Sequence, residues 1–229
     1  MDIGGLQKFS LIDYPGKICA IIFTQGCNFK CPYCHNPELS NPDFYEIKIP
    51  VDDIFSFLEK RRGKLDAVTI TGGEPTLQAD LIDFIKRVKE MNYLIKLDSN
   101  GSHPDVLETL ITNNLIDYIA MDVKAPWGKY QKITRSAIKP EIIKKSVELI
   151  TKSNISYEFR TTVVKSQLST DDLLTIGKNL ENSRFYILQK FIPSKTLDPK
   201  YLKKTTYSDD DFEKIREKIE KHVDKVVVR

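Results

Sequence analysis

Short apolar stretches alternate along the chain with stretches whose apolar residues follow a helical repeat. The apolar stretches are rich in Ile, Val, Thr, Tyr and Phe and end in turn-forming residues, a pattern that predicts β-strands. Between them, apolar residues recur at helical spacing, as at Leu81, Ile85 and Val88, and a last helix is expected from about Ser208. The predicted strands lie at residues 17–24, 66–72, 93–99, 117–123, 157–164 and 184–191, with "KVVVR" at the end of the chain as a further candidate.

The regular alternation of strand and helix predicts the fold class. Six such β-then-α units in order imply an α/β fold with a parallel sheet and right-handed crossovers. A closed eight-unit barrel usually needs ~250 residues, so this pattern predicts a partial (β/α)6 TIM-like barrel or an open doubly wound sheet. In both folds ligands bind at the carboxyl ends of the strands. We expect one domain over residues 1–229, with an N-terminal strand and loop at 17–37 and a C-terminal helix and candidate strand at 208–229.

Two of the expected helices begin at residues typical of helix starts. Ser102 with Pro104 predicts one start, and Thr170 before two aspartates predicts another, with Thr170 as the N-cap.

Composition narrows the function classes. Hydrophobic residues make up 41% and charged residues 29% of the chain, which is typical of a soluble globular protein. The net charge of +3 gives no argument for a nucleic-acid partner. The longest apolar run, Ile18 to Phe23, is far too short for a membrane span, and no leader is recognisable. We therefore expect a cytoplasmic protein that binds neither membrane nor nucleic acid.

Three of the four cysteines lie within the segment "QGCNFKCPYCHNP", residues 25–37, which we call the cysteine segment. In a reducing compartment such a tight group is more typical of a metal site than of disulfides. The spacing of Cys27, Cys31 and Cys34 allows a loop to wrap three thiolates around one face of an iron–sulfur cube and leave one iron open. A closed zinc site would need a fourth ligand, for which His35 and Cys19 are the nearest candidates. His35 directly follows Cys34, and Cys19 lies in a strand where a buried apolar cysteine is the plainer interpretation, so the open iron is favoured.

Other polar and glycine residues are found where the predicted strands end, and parallel strands would bring them to one rim. Gly72 and Gly73 would let the backbone approach a ligand, although a plain β-to-α turn is the alternative. The Asn-Gly pair in "DSNG" is typical of a β-hairpin turn. A hairpin is not expected here, because the next predicted element is a helix that begins with proline. The segments are "TGGEP", "DSNG" and "MDVKAP" after the second, third and fourth strands, with Arg160 in the fifth and Gln189 in the sixth.

These motifs resemble the radical S-adenosylmethionine (SAM) superfamily, and within it the activating enzymes of glycyl radical enzymes. The signature CxxxCxΦC, in which Φ is aromatic, is met by Cys27, Cys31, Tyr33 and Cys34. The segments "FSLIDYPGK" and "FTQGCNFKCPYCHNPEL" are most similar to activating proteins of anaerobic ribonucleoside-triphosphate reductase. Four further segments, "ITGGEPTL", "LDSNG", "AMDVKAP" and "FIPSKTLDP", follow in the order of that family, so the resemblance covers nearly the whole chain.

The resemblance implies a radical SAM core and a [4Fe–4S] cluster whose open iron is chelated by the amine and carboxylate of SAM. An electron from a flavodoxin or ferredoxin-type donor would cleave SAM to methionine and a 5′-deoxyadenosyl radical. That radical would take a hydrogen from a glycine Cα of a partner, anaerobic ribonucleotide reductase being expected. The alternatives are a radical SAM enzyme acting on a small molecule, such as 7-carboxy-7-deazaguanine synthase, and a non-catalytic iron–sulfur or zinc module.

The resemblance also implies roles for individual residues in binding SAM. Glu74 is expected to accept hydrogen bonds from the SAM amine. Asp98, Ser99 and Asn100 are expected beside the ribose and methionine. Asp122 together with Asp98 is a candidate pair of ligands for a monovalent cation.

For the later strands both a functional and a structural interpretation stay open. Lys124 is expected to pair with the SAM carboxylate, but Asp122 and Lys124 share a strand face and also predict a structural ion pair. Arg160 is either a carboxylate clamp or a solvated rim arginine. Gln189 is either a ligand of the adenine or its ribose, or a polar filler. Tyr33 either packs on the adenine or shields the cluster from water.

Overall fold

Hydrogen bonds join eight strands in chain order in one sheet. The computed structural model describes all 229 residues. Strands β1 to β8 are Ile3–Ser10, Cys19–Thr24, Ala67–Gly72, Leu94–Ser99, Tyr118–Asp122, Ser156–Val163, Tyr186–Lys190 and Val226–Val228. Helices α1 to α8 are Pro37–Ser40, Val51–Glu59, Leu81–Glu90, Pro104–Thr112, Tyr130–Thr134, Pro140–Lys152, Thr170–Asn179 and Asp209–Ile219.

The six predicted strands correspond to β2 to β7, and "KVVVR" contains β8. The pairs β2/β3, β3/β4, β6/β7 and β7/β8 are parallel, as the alternation of strands and helices predicts. Strand β1 was not predicted, and it pairs antiparallel with β2 at the edge of the sheet. Its sequence, IGGLQKFS, contains two glycines and two exposed polar residues, Gln7 and Lys8, which weaken the strand pattern.

The helices confirm most of the predicted periodicity. In α3 the side chains of Leu81, Ile85 and Val88 are buried on one stripe. Helix α8 begins after Ser208, whose side chain accepts a hydrogen bond from the helix backbone. Helices α1, α2 and α5 were not predicted.

One predicted helix boundary is wrong by a residue. The N-cap of α7 is Ser169, and Thr170 is the first helical residue. Ser169 Oγ accepts from the Asp172 amide at 3.2 Å, while Asp172 Oδ2 accepts from the Ser169 amide at 2.9 Å. This reciprocal pair is a capping box, in which the Asp172 side chain selects Ser169 over Thr170 as the cap.

The chain forms two compact units, each with its own apolar core. In the first, the core includes Ile22, Ile54 and Ile70, and in the second it includes Phe159 and Tyr186. The single domain expected from the sequence stays a prediction. The first unit is Met1–Asn28, Asn36–Ser99 and Asp105–Ile119, and the second is Phe29–His35, Asn100–Pro104 and Ala120–Arg229.

None of the helices combines the length and the hydrophobicity needed to cross a bilayer.

Candidate functional site

The two glycines after β3 allow backbone to pack directly against backbone. A Cβ on Gly73 would lie 2.0 Å from the carbonyl oxygen of Gly26, and one on Gly72 would lie 2.4 Å from the amide nitrogen of Thr24. Gly72 also has a φ of +119°, a conformation that side chains rarely adopt. The amides of Gly73 and Glu74 then donate to the carbonyls of Thr24 and Gly26 at 2.9 and 2.7 Å. In the structure, these glycines therefore join the end of β3 to the beginning of the cysteine segment.

Glu74 is a fully buried carboxylate at this turn. Its Oε1 accepts hydrogen bonds from the amide and hydroxyl of Thr76, at 3.1 and 2.5 Å. It also accepts one from the hydroxyl of Ser99 at 2.8 Å. The bond to Ser99 links the turn after β3 to the end of β4, so two of the predicted site residues are in direct contact.

Asp98 lies on β4 beside Lys96, which was not predicted as a site residue. Lys96 Nζ donates to Asp98 Oδ1, and the Thr71 hydroxyl donates to Oδ2 at 3.3 Å. The Lys96 side chain is only 4% exposed. A lysine two residues before an aspartate in an otherwise apolar strand is the signal that could have identified this pair, because the two side chains then share a face.

Asn100 forms the turn that leads into α4. Its side-chain oxygen accepts a hydrogen bond from the Ser102 amide at 2.9 Å, which is an Asx turn. The next residue, Gly101, has a φ of +75°, and a Cβ there would lie 2.0 Å from the Met121 methyl carbon. The buried Asn100 side chain therefore has a local backbone role in the structure.

Residues 29–35 of the cysteine segment are held by backbone hydrogen bonds from two sides. On one side, the Lys30 amide donates to the Thr134 carbonyl at 2.8 Å, at the end of α5. On the other, the amides of Leu197 and Asp198 donate at 3.1 and 2.9 Å to the carbonyls of Cys34 and Pro32. The segment "FIPSKTLDP", which contains Leu197 and Asp198, thus supports the cysteine segment through these hydrogen bonds.

Aromatic contacts reinforce these supports. The His35 ring stacks on Phe191 with centroids 5.5 Å apart, and its Nε2 lies 3.0 Å from the Ile192 carbonyl oxygen. On the opposite side, Phe29 contacts the edge of Tyr130 with centroids 6.3 Å apart. His35 therefore anchors the segment to the loop after β7.

Cys19, the other candidate for a fourth zinc ligand, is fully buried in β2. Its thiol lies 3.6 Å from the hydroxyl of Thr69 on β3. This environment agrees with the interpretation of Cys19 as a core residue.

Asp122, Lys124 and Arg160 form an ion-pair network between the end of β5 and the interior of β6. Arg160 Nε donates to Asp122 Oδ1 at 2.9 Å, and Lys124 Nζ donates to Oδ2 at 3.2 Å. Burial alone would raise the pKa of Asp122, but the charges of Arg160 and Lys124 outweigh it and lower the pKa to about 2. Burial would likewise lower the pKa of Lys124, but the Asp122 carboxylate holds it well above its usual value. Both groups are therefore ionised at neutral pH.

In this geometry Asp122 and Lys124 form the ion pair that their shared strand face predicts, and the role of Lys124 in binding SAM stays a prediction. The alternative of a solvated rim arginine is wrong, because the Arg160 side chain is only 14% exposed. Gln189 accepts a hydrogen bond from the Thr162 hydroxyl at 3.4 Å on the neighbouring strand, which agrees with the polar filler.

The thiol of Cys31 lies in the field of this network. Burial raises its pKa to about 11, while the Lys124 charge acts in the opposite direction. Tyr33 is also buried, and its hydroxyl, although close to the Cys31 thiol, makes no hydrogen bond of normal geometry. None of the four cysteines is in a disulfide. No group of three or more His, Cys, Asp or Glu side chains is arranged to hold a metal ion.

The predicted site residues thus fall into two sets, each within one compact unit. The first set contains Glu74 in direct contact with Ser99, and the second contains Asp122 in contact with Lys124 and Arg160. Thr76, Tyr130 and Lys96 are residues of these sets that were not predicted from the sequence. Lys96 has a sequence signal and Thr76 lies only two residues from its partner Glu74, whereas the contact of Tyr130 with Phe29 depends on the fold.

Comparisons with known proteins agree with these motifs and with the fold. Residues 21–172 match the Radical SAM superfamily. The chain is 36% identical over 232 aligned positions to "Putative glycyl-radical enzyme activating enzyme MJ1227" of Methanocaldococcus jannaschii, covering 99% of this chain and 95% of the relative. It is 32% identical to the pyruvate formate-lyase-activating enzyme of Listeria monocytogenes, covering 66% of this chain and 58% of the relative.

Among solved structures, a domain of a pyruvate-formate lyase-activating enzyme from Bacteroides vulgatus superposes with a TM-score of 0.57 at 16% sequence identity. The superposition covers 71% of this chain and 98% of that domain. This likeness concerns the fold, and it supports the α/β class with a partial barrel that the alternating strands and helices predict.

Proposed function

This chain belongs to the radical SAM superfamily, and we propose that within the superfamily it activates a glycyl radical enzyme. The observation that carries the proposal is the similarity, over 99% of the chain, to a relative described as an activating enzyme of this kind. A shared domain alone would leave the flanks unmatched, whereas here the match includes the N-terminal strand and the loop after β7.

The sequence spacing of the cysteines, rather than an assembled group of metal ligands, supports the cluster that the superfamily implies. Cys27, Cys31 and Cys34 supply three thiols at the spacing of an open iron–sulfur site, and their segment has backbone supports on two sides. The buried Tyr33 hydroxyl, which lacks a hydrogen bond of normal geometry, is a polar atom placed for a group that binds beside it. We propose that these three cysteines hold the cluster. When bound, a [4Fe–4S] cluster supplies the electron that cleaves SAM.

Lys124 is proposed to bind the carboxylate of SAM. Its ammonium group has three donors, of which Asp122 takes one. Arg160 orients Asp122 from the other side, so the lysine is held by a carboxylate that is itself held in place. The pKa of Lys124, well above its usual value, keeps the charge that a carboxylate ligand needs.

Glu74 is proposed to accept hydrogen bonds from the SAM amine. Contacts from Thr76 and Ser99 hold its carboxylate in one orientation, which reduces the cost of ordering it on binding. Asp98 is proposed to lie beside the ribose, with Lys96 and Thr71 holding its two oxygens. Ser99, Asn100, Gln189 and the glycine turn at Gly72 and Gly73 complete the proposed SAM-binding set.

The substrate proposed here is a glycine residue of a protein partner. The segments "FSLIDYPGK" and "CHNP" favour anaerobic ribonucleotide reductase among the glycyl radical enzymes. The remaining proposals are a flavodoxin or ferredoxin-type electron donor and a cytoplasmic location.

Anaerobic reconstitution tests the cluster and the SAM chemistry together. The wild-type chain should bind about four irons and four sulfides, and with SAM and dithionite it should release 5′-deoxyadenosine. Cys27→Ser, Cys31→Ser and Cys34→Ser should each lose the product, while Cys19→Ser serves as the matched control and should keep it. Stoichiometric zinc without iron, or no 5′-deoxyadenosine from an iron-loaded chain, would contradict the proposal.

A further inference from the structure

Lys96 is a buried lysine inside a strand, and its ammonium group contacts a neighbouring carboxylate. It lies in the middle of β4, where the residues on either side are Ile95 and Leu97, both fully buried. Its Nζ donates to Asp98 Oδ1, and the side chains of Lys96 and Asp98 are 4% and 15% exposed. The Lys96 ammonium group therefore lies directly against the Asp98 carboxylate.

The neighbouring strand fixes the position of the same carboxylate. Thr69 on β3 is opposite Lys96 in the parallel register, and two residues later Thr71 donates to Asp98 Oδ2 at 3.3 Å. Both oxygens of Asp98 therefore have a donor within the first compact unit. A buried carboxylate needs such partners, because an uncompensated charge away from water is costly.

The resemblance implies a monovalent cation at Asp98 and Asp122, and the residues of this chain do not fit it. A metal ion at Asp98 would compete with the ammonium of Lys96 for Oδ1. Asp122, considered within its own unit, already accepts from Lys124 and Arg160. Each carboxylate thus has its counter-charge from a side chain.

We propose that Lys96 is a built-in cation: a positioning residue that holds Asp98 and supplies the charge that a bound monovalent ion would otherwise supply. The chain then has no requirement for potassium or sodium at this carboxylate. The consequence for SAM rests on the proposed function, because it assumes that Asp98 lies beside the ribose. The cation claim itself concerns only Lys96 and Asp98 and can be tested without cluster or SAM.

The direct test is thermal unfolding of the cluster-free chain in potassium chloride and in tetramethylammonium chloride at equal ionic strength. The wild-type Tm should be the same in both salts, as should that of Lys96→Arg. Lys96→Met should have a lower Tm and should regain about 3 °C in potassium, because an ion that binds only the folded state stabilises it. The double variant Lys96→Met/Asp98→Asn lacks both charges and should not respond.

A wild-type Tm that rises selectively in potassium would overturn the proposal, as would a folded Lys96→Met variant that does not respond. If Lys96→Met folds only in potassium, the proposal holds. If Lys96→Met does not fold in either salt, the potassium response of the wild type is compared with that of the double variant. A Tm increase in potassium that only the wild type shows would indicate a metal ion at Asp98 and would overturn the proposal. If neither the wild type nor the double variant shows a Tm increase in potassium, the result supports Lys96 as the cation.

A second readout concerns SAM affinity of the reconstituted chain. Lys96→Met should bind SAM about tenfold to a hundredfold more weakly in tetramethylammonium, the range expected when a charge-assisted contact is lost, and potassium should restore part of it. Lys96→Arg should bind normally. If the Tm results are as expected but SAM affinity does not change, the proposed position of Asp98 beside SAM is wrong. The proposal that Lys96 takes the place of a bound cation is then still supported.

Discussion

The backbone of Gly73 contacts that of Gly26 so closely that a Cβ on Gly73 would lie 2.0 Å from the Gly26 carbonyl oxygen. The same carbonyl accepts the Glu74 amide at 2.7 Å, so the glycine and the hydrogen bond depend on one geometry. This contact fixes the end of β3 against the residue that precedes Cys27. The turn is therefore a structural support of the cysteine segment, whether or not it also contacts SAM.

Replacing Gly73 by alanine should destabilise the chain. The obstructing atom is backbone, so relief requires the strand end to move, and we expect a loss of about 1–3 kcal/mol. Urea denaturation measures this loss. The matched control is Gly128→Ala, where an added Cβ meets nothing within 4 Å. Equal stability of the two variants would show that the turn is not tightly packed.

The Asp122 network should make stability depend on pH in acid. Because the folded-state pKa of Asp122 is about 2 and the unfolded value is about 3.9, its contribution is fully present above about pH 4 and is lost as the pH falls through 2. The contribution is about 2 kcal/mol. Asp122→Asn should therefore be less stable than wild type at pH 6, and the difference in unfolding free energy should shrink toward pH 2.

Asp224→Asn is the control for this measurement, because Asp224 is an exposed carboxylate of the same unit. Its difference from wild type should stay small at every pH. A constant difference for Asp122→Asn between pH 5 and pH 2.5 would rule out the ion-pair network as the cause.

Tyr33→Phe should change the apo and the loaded protein in opposite directions. In the apo chain the substitution removes a buried hydroxyl without a normal hydrogen bond, so the Tm should rise slightly. In the reconstituted chain, where we propose that this hydroxyl gains a partner, SAM affinity should fall by up to about tenfold. The control is Tyr186→Phe, whose buried hydroxyl donates to Thr161 at 2.7 Å and whose loss should destabilise both forms. A lower apo Tm for Tyr33→Phe would contradict this explanation.

His35→Ala separates an anchor from a metal ligand. If His35 only stacks on Phe191 and contacts the Ile192 carbonyl, the variant should bind as much iron as wild type. Its cluster should be lost several-fold faster to a chelator, because the segment has one support fewer. Iron content is the deciding measurement, with Cys34→Ser as the control that should lose it. A loss of iron in His35→Ala similar to that in Cys34→Ser would indicate that His35 is a metal ligand.

Sequence periodicity was sufficient to predict β2 to β7. It was not sufficient for β1, because an edge strand with glycines and exposed polar residues lacks the apolar alternation of a buried one. The cap of α7 was displaced by one residue because Ser169 and Thr170 have equivalent chemistry. Only the position of the Asp172 side chain distinguishes them.

The site shows the same limit of local sequence information. The pairing of Asp122 with Lys124 follows from the two-residue period of a strand, and the pairing of Lys96 with Asp98 could have been predicted by the same rule. The third partner, Arg160, is 38 residues from Asp122 in the chain, so no local pattern predicts it. The contact of Gly73 with Gly26 likewise depends on two strands coming together.

The central claim is tested most directly by electron paramagnetic resonance on a reaction with a glycyl radical enzyme encoded in the same genome. Reconstituted chain, SAM and reductant should produce a glycine-centred doublet on the partner, and α-deuterated glycine should transfer deuterium to 5′-deoxyadenosine. Cys31→Ser should give neither signal. Release of 5′-deoxyadenosine with turnover of a small pterin and no protein radical would contradict the account and would favour a small-molecule enzyme such as 7-carboxy-7-deazaguanine synthase.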